Sequence, residues 1–278
     1  MIPPGVRIGD RLGPFAARLD PEQLELYAAA TTDPSPAVQR GEASPPVALV
    51  TQIWEAQEAG RVALVAPEIL EHFTGGMHGE HEVRLHRPVA PGEPLRVFVE
   101  GHGARQLGDR SFVTLRYTIV DADDATVAEQ WWTTVYFGTT CAAIGEPAPE
   151  HAFPEAARDH PIGTYAVDVD HGMARRYAEV SGDWSAHHFD IAAAHRSGVE
   201  RLFLHGLCTM ALCAQGVVEL AAGGDPERVR RVAVRFASPT FLGEELRVHV
   251  YDAGDLGVAF EAECADTTVI AHGRAELF

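Results

Sequence analysis

Residues 181–190, SGDWSAHHFD, hold an acid and a base five positions apart, Asp183 and His188, across a tight Gly182-Asp183-Trp184-Ser185 turn. A carboxylate and an imidazole so placed could share one water molecule, one taking its proton and the other returning a proton to carbon. Ser185 could donate and accept one hydrogen bond to the same water. Fifteen residues on, His205-Gly206 opens a long apolar run. A backbone amide at Gly206, at the positive end of a helix, could receive an oxygen that gains negative charge, and glycine lets that oxygen come close. These are the parts needed to add water to an activated double bond or to remove it. The plainer alternative makes Asp183 a turn cap and His188 a satisfied buried histidine. Asp183, His187, His188 and His205 match no familiar metal-ligand spacing, so no metal is expected. Cys208 lies inside the apolar run and reads as a core thiol, not a nucleophile.

The elements that must hold these residues occur twice. Asp20, Tyr27 and Asp33 return as Asp170, Tyr177 and Asp183, 150 residues later. Val83, Arg84, Pro88, Gly92, Glu93, Leu95, Arg96 and Val97 return at an offset of 151, from Val234 to Val248. Asp20-Pro21 predicts a helix start, with Leu24, Tyr27, Ala28 and Thr31 at helical spacing; Asp170 predicts the equivalent cap, with Met173, Tyr177 and Val180 on one face. Each unit then predicts an irregular stretch and a longer apolar helix. In the second unit that helix covers 207–221 and is stopped by Gly223-Gly224. Its apolar residues cover more than half its circumference, so a surrounding sheet is expected. Period-two alternation predicts strands at 82–87, 94–101, 111–120 and 127–137, and again at 232–236, 246–250, 258–264 and 269–277. The Gly-, Pro- and Ala-rich stretch 138–163 reads as the connection. Residues 1–140 and 164–278 form the two units, and 141–163 the linker.

With 278 residues, 46% hydrophobic and 22% charged, the chain suits one large globular domain or two smaller ones. A formal charge of −18 argues against nucleic acid or an anionic membrane as partner. Local arginines in the second half, Arg175, Arg176, Arg196, Arg201, Arg228, Arg230 and Arg231, could still serve a phosphate-bearing substrate arm. Four scattered cysteines suggest no disulfide framework, and no apolar stretch suits a signal core or a membrane span. A cytoplasmic location is the expectation.

The stretch YAEVSGDWSAHHFD with the downstream LHG resembles the hydratase motif of the MaoC-like R-specific enoyl-CoA hydratases and 3-hydroxyacyl thioester dehydratases. SPPVALVTQIW and GGMHGEHEVRLHRPVAPGEPLRV resemble the degenerate first half of the two-domain members. The resemblance covers nearly the whole chain and is most specific over 177–206. It implies an α+β double hot dog, two tandem units each with a long helix wrapped by a curled antiparallel sheet. The first would be a substrate-binding wall and the second catalytic. It also implies Asp183 and His188 as the water-activating pair and Gly206 as oxyanion donor, with Ser185 and His205 beside the substrate. The matched spacing favours His188 over His187 as base. Ser185-Ala186 departs from the family's usual asparagine-proline and puts the rate and substrate in doubt. Val38 stands where the second unit has His188, so one active site per chain is expected.

The implied reaction is the reversible hydration of trans-2-enoyl thioesters to (R)-3-hydroxyacyl thioesters, without metal or organic cofactor. The acyl group would arrive on CoA or on a carrier protein. The rival readings are a hot-dog thioesterase and a non-catalytic acyl-thioester binding subunit. Oligomeric state is left open, a homodimer being one option. His78-Gly79, a second His-Gly pair, is read as preceding a strand, with a structural role favoured over lining a cleft.

Overall fold

The computed structural model describes residues 2–278. Eleven strands form one sheet: β1 (Arg11–Ala17), β2 (Gly75–Leu85), β3 (Leu95–Leu107), β4 (Arg110–Val120), β5 (Thr126–Phe137), β6 (Ile144–Gly145), β7 (Pro161–Val169), β8 (Val229–Phe236), β9 (Glu244–Asp252), β10 (Val258–Cys264) and β11 (Thr267–Leu277). The helices are α1 (Pro21–Thr31), α2 (Pro36–Gln39), α3 (Trp54–Leu64), α4 (Pro67–His72), α5 (Met173–Ser181), α6 (Ile191–Arg196) and α7 (Gly206–Ala221).

Alternation explains the strands. Along β3, Leu95, Val97 and Val99 are buried while Arg96, Phe98 and Glu100 lie toward the other face. The sheet order is β1-β3-β4-β5-β2-β8-β11-β10-β9-β7, with β6 added to β3. Each half is thus the reverse of the other, and the join is the antiparallel pair β2–β8. Glu82 faces Ala233 there, and these are equivalent residues in the 151-residue repeat, so the pseudo-twofold axis of the duplication passes between them. Arg231, side chain 10% exposed, crosses the seam to both carboxylate oxygens of Glu82 at 2.9 and 2.8 Å, and Arg235 reaches Glu80 at 2.9 Å.

Helix α7 is buried continuously from Leu207 to Val218 and packs on β7, β8, β9 and β10, which is why its sequence is apolar all round. Gly223 and Gly224 both take left-handed φ, 71° and 80°, and the Gly224 amide reaches back to the Val218 carbonyl, closing the helix. Helices α1 and α5 pack on each other across the pseudo-axis, with the Tyr27 and Tyr177 rings 6.4 Å apart.

Several expectations are corrected. The helix in the first unit, α3, has 11 residues, no more than α1, against 16 in α7; a 3-10 turn, Ala48–Gln52, precedes it. Charged Glu55, Glu58 and Arg61 on α3 leave it one buried face only. Asp170 is not the N-cap of α5, a position held by Gly172. Its carboxylate accepts from the Gly172 amide and pairs with Arg176 at 2.6 Å, which holds its pKa below the usual carboxylate range. Asp20 does stand at the N-cap of α1, but its side chain makes no cap bond and pairs with Arg18. Edge strands β1 and β7 were not foreseen. The connecting stretch carries β6, a 3-10 turn at Glu155–Asp159 and the start of β7, with Phe153 and Ala157 buried against Ala259. Finally, His78-Gly79 lies inside β2, not before it.

Candidate active site

Asp183 follows α5 directly. Gly182 ends that helix with φ 78°, a left-handed conformation that glycine adopts without a Cβ clash, and this turns the next residue toward the sheet. The Asp183 Oδ1 accepts from the Ser185 amide at 3.1 Å and from the Ser185 hydroxyl at 2.5 Å. Among the described residues, no protein group bonds Oδ2, which lies on the cleft side of the turn's half-exposed carboxylate. Ser185 therefore does something other than expected: its hydroxyl orients the carboxylate instead of being kept for the water.

His188 closes the 3-10 turn Ala186–His188 and is 4% exposed. Its Nδ1 lies 3.0 Å from the Phe203 carbonyl, which can only accept, so the proton sits on Nδ1 and Nε2 carries the lone pair. That is the tautomer a general base needs. Burial, then the neighbouring His205 and His187, push its pKa down to about 2, so the ring stays neutral. His187 stacks on Phe203 and sets its own Nε2 3.1 Å from the His188 Nε2, as donor to that lone pair. The ring that seemed a competitor to His188 thus faces the Nε2 of His188.

His205, 2% exposed, lies with its ring centroid 3.8 Å from that of His188. Its Nε2 donates to the Asp183 carbonyl at 2.9 Å, which ties the start of α7 to the aspartate turn; its Nδ1 is buried without a partner. Burial lowers its pKa also. Gly206 is the first residue of α7, where an amide has no intrahelical carbonyl to bond. Asp183, His188 and His205 each bring a donor atom within 4.8 Å of the others, so these three are also the residues that could hold a cation.

All five residues singled out in the sequence, Asp183, Ser185, His188, His205 and Gly206, line one cleft of about 1040 Å³. Its other wall comes from the first unit and includes Trp54, His78 and Trp132. Of the arginines noted in the second half, Arg196 alone lines the cleft. Arg176, Arg201, Arg230 and Arg231 are engaged by carboxylates, and Arg228 donates to the Ala222 carbonyl. The cleft also takes Arg61 from α3 and Arg105, Arg110 and Arg235 from strands, which pattern reading missed because their facing is set by the fold. Cys208 is wholly buried, and burial pushes its thiol pKa up, as a core thiol requires.

The equivalent place in the first unit is closed. Asp33 keeps the turn, accepting from the Ser35 amide at 2.9 Å as Asp183 does from Ser185. Val38 is fully buried where a histidine would stand, and the pocket at Asp33 is about 10 Å³. Burial raises the Asp33 pKa.

Residues 153–273 match the family described as MaoC like domain. That match lies within the carboxy-terminal half. Around it, 192 residues are 27% identical to 3-hydroxyacyl-thioester dehydratase Y of Mycobacterium tuberculosis, a match covering 68% of this chain and 66% of that protein. A further 100 residues are 33% identical to the mouse peroxisomal multifunctional enzyme type 2, covering 35% of this chain and 14% of that protein. The matches thus span less than two thirds of these relatives' own length. In structure, the chain superposes on a MaoC-like dehydratase from Phytophthora capsici with a TM-score of 0.83 at 21% identity, covering 97% and 95% of the two chains. It also superposes on a Mycobacterium tuberculosis protein described as having a double hotdog fold, at a TM-score of 0.60 and 17% identity, covering 98% and 97%. The fold is accordingly the α+β double hot dog, and the residues that match the MaoC like domain lie in its second half. No helix of the described residues is long and apolar enough to cross a membrane.

Proposed function

We propose that the protein hydrates trans-2-enoyl thioesters to (R)-3-hydroxyacyl thioesters and catalyses the reverse dehydration. One observation carries the reading: a neutral imidazole with its lone pair on Nε2 and a carboxylate with a free oxygen converge beside a helix N-terminal amide, at the wall of a cleft large enough for an acyl chain. A water seated between Asp183 and His188, in place of the His187 contact, loses a proton to His188 as its oxygen bonds to the β-carbon. The α-carbon then takes a proton from the same pair. Charge that develops on the thioester oxygen is met by the Gly206 amide, an interaction for which losing one donor typically costs about 3–4 kcal/mol. The R configuration and the syn course rest on the family resemblance. The names of the relatives, a 3-hydroxyacyl-thioester dehydratase and enoyl-CoA hydratases, support the reaction class.

The test is a panel of enoyl thioesters on CoA and on carrier protein, with product chirality determined, for the native chain and for Asp183→Asn and His188→Ala. Each variant is expected to lose about 10²- to 10⁴-fold in kcat while keeping its fold. Native rates in both would refute the roles given, and release of free thiol from saturated acyl thioesters would favour hydrolysis instead.

A further inference from the structure

The first-unit wall of the cleft carries a polar group that the hydration chemistry does not use. In β2, His78 faces Thr134 and Glu80 faces Thr133, so two steps along β2 match one along β5 and Gly79 is the extra residue of a β-bulge. In a regular strand His78 and His81, three apart, would point to opposite faces. The bulge puts them on one face, with ring centroids 5.1 Å apart. A Cβ at Gly79 would stand 2.6 Å from the Val135 Cγ2, so a larger residue there would have to displace that side chain.

A directed chain of hydrogen bonds fixes His78. The Gln130 Nε2 donates to the Leu49 carbonyl at 3.2 Å, which turns its Oε1 toward His81 Nε2 at 3.0 Å. His81 is therefore protonated on Nε2, and its Nδ1 accepts from His78 Nε2 at 3.3 Å. With Nε2 donating, Nδ1 is the nitrogen of His78 left as acceptor, and the Glu80 backbone also stands within hydrogen-bond reach of the ring. Burial keeps both rings neutral, with His81 pushed down to about 4. The His78 ring is stacked on Trp132 at 4.0 Å and 3°, and its other neighbour is Phe236 at 4.7 Å. Phe236 in turn lies against Gly206, where a Cβ would be 3.2 Å from its ring. His78 is thus one ring away from the amide assigned to the thioester oxygen. It lines the cleft together with the buried Val50 and Trp132.

Resting on the acyl-thioester reading above, we infer that His78 is a specificity-determining residue that accepts a hydrogen bond from a hydroxyl on the acyl group, so that the preferred substrate is an oxygenated acyl thioester. His81, Gln130 and the Leu49 carbonyl are its positioning residues. The apolar rings around it make an unanswered lone pair costly and an answered one selective.

The test needs no turnover. Saturated acyl-CoA and isomers with the hydroxyl stepped along the chain are titrated calorimetrically into the native protein, His78→Phe and Gln130→Met, each checked for native melting. One hydroxylated isomer is expected to bind the native chain about tenfold tighter than the plain acyl-CoA, with that ratio falling to about one in His78→Phe and part-way in Gln130→Met. Should His78→Phe fail to fold, the ratio in Gln130→Met decides. A native protein indifferent to every hydroxyl position, or a preference that survives both substitutions, overturns the inference. Equal weakening of plain and hydroxylated ligands overturns it too, since His78 would then be reading the pantetheine arm. Failure of the hydration reading shows separately, as native protein that leaves enoyl-CoA unconverted.

Discussion

Acid should unfold this protein in a pH window set by its buried neutral histidines. His188 titrates at about 2 and His81 at about 4 in the folded chain, both pushed down from 6.5 chiefly by burial, while in the unfolded chain each returns to its ordinary value. A depressed folded pKa means that the unfolded state binds the extra proton. The stability is complete above 6.5 and is lost as pH falls through that value toward the folded pKa. At pH 5 each ring costs about 1.5 pH units at 1.36 kcal/mol per unit, or about 2 kcal/mol, and the pair about 4 kcal/mol. Against a total stability of about 5–15 kcal/mol this is a large fraction. Carboxylates held low by arginines, such as Glu93 and Asp121, begin to act only near 4.5 and below, so the interval from pH 7 to 5 isolates the histidines. Urea unfolding followed by circular dichroism at pH 7, 6 and 5 measures the loss. In His188→Gln the difference between pH 7 and pH 5 should shrink by about 2 kcal/mol. A stability that does not change over this range, or an unaltered difference in His188→Gln, would refute the claim that His188 is held neutral by burial.

Three further outcomes follow from the site. Ser185→Ala removes the hydroxyl that holds the Asp183 Oδ1, a bond to a charged acceptor, and should lower kcat/KM about 10- to 100-fold with little change in melting; an unchanged rate would return Ser185 to a surface role. Gly206→Ala places a methyl 3.2 Å from Phe236 at the point where the thioester oxygen must approach, and should cost about 100-fold in kcat/KM, visible in steady-state kinetics of enoyl-CoA hydration. Dialysis against a chelator should leave the rate unaltered; a loss restored by a divalent cation would show that Asp183, His188 and His205 hold a metal and not a water.

The repeat, the strands and α7 were legible because each rests on a period or on recurrence, and both survive folding. The outer strands β1 and β7 were not. Pro14 within β1 and Pro161-Ile162-Gly163 at the head of β7 look like breakers, yet a sheet edge tolerates a missing donor. The catalytic candidates were readable from local spacing, since Asp183 and His188 share one turn. The partner of the Ser185 hydroxyl was not, because a serine in such a turn can bond either the adjacent carboxylate or a ligand, and residue type does not distinguish the two. Least legible was His78: one bulged glycine reverses which face it takes, and no pattern of residue types announces such a phase change.

The seam between β2 and β8 makes the two halves mutually dependent. Separated, each would bare its β2 or β8 as a long open edge, and Arg231 and Glu82 would lose each other while keeping Glu276 and Arg84 within their own halves. A chain nicked between the units should therefore stay associated as a non-covalent pair. Joined in this way, one half can hold Val38 and a closed pocket while the other holds Asp183 and His188 in the open cleft, so each chain carries one scaffold half for every cleft, a pairing that two identical subunits would not enforce.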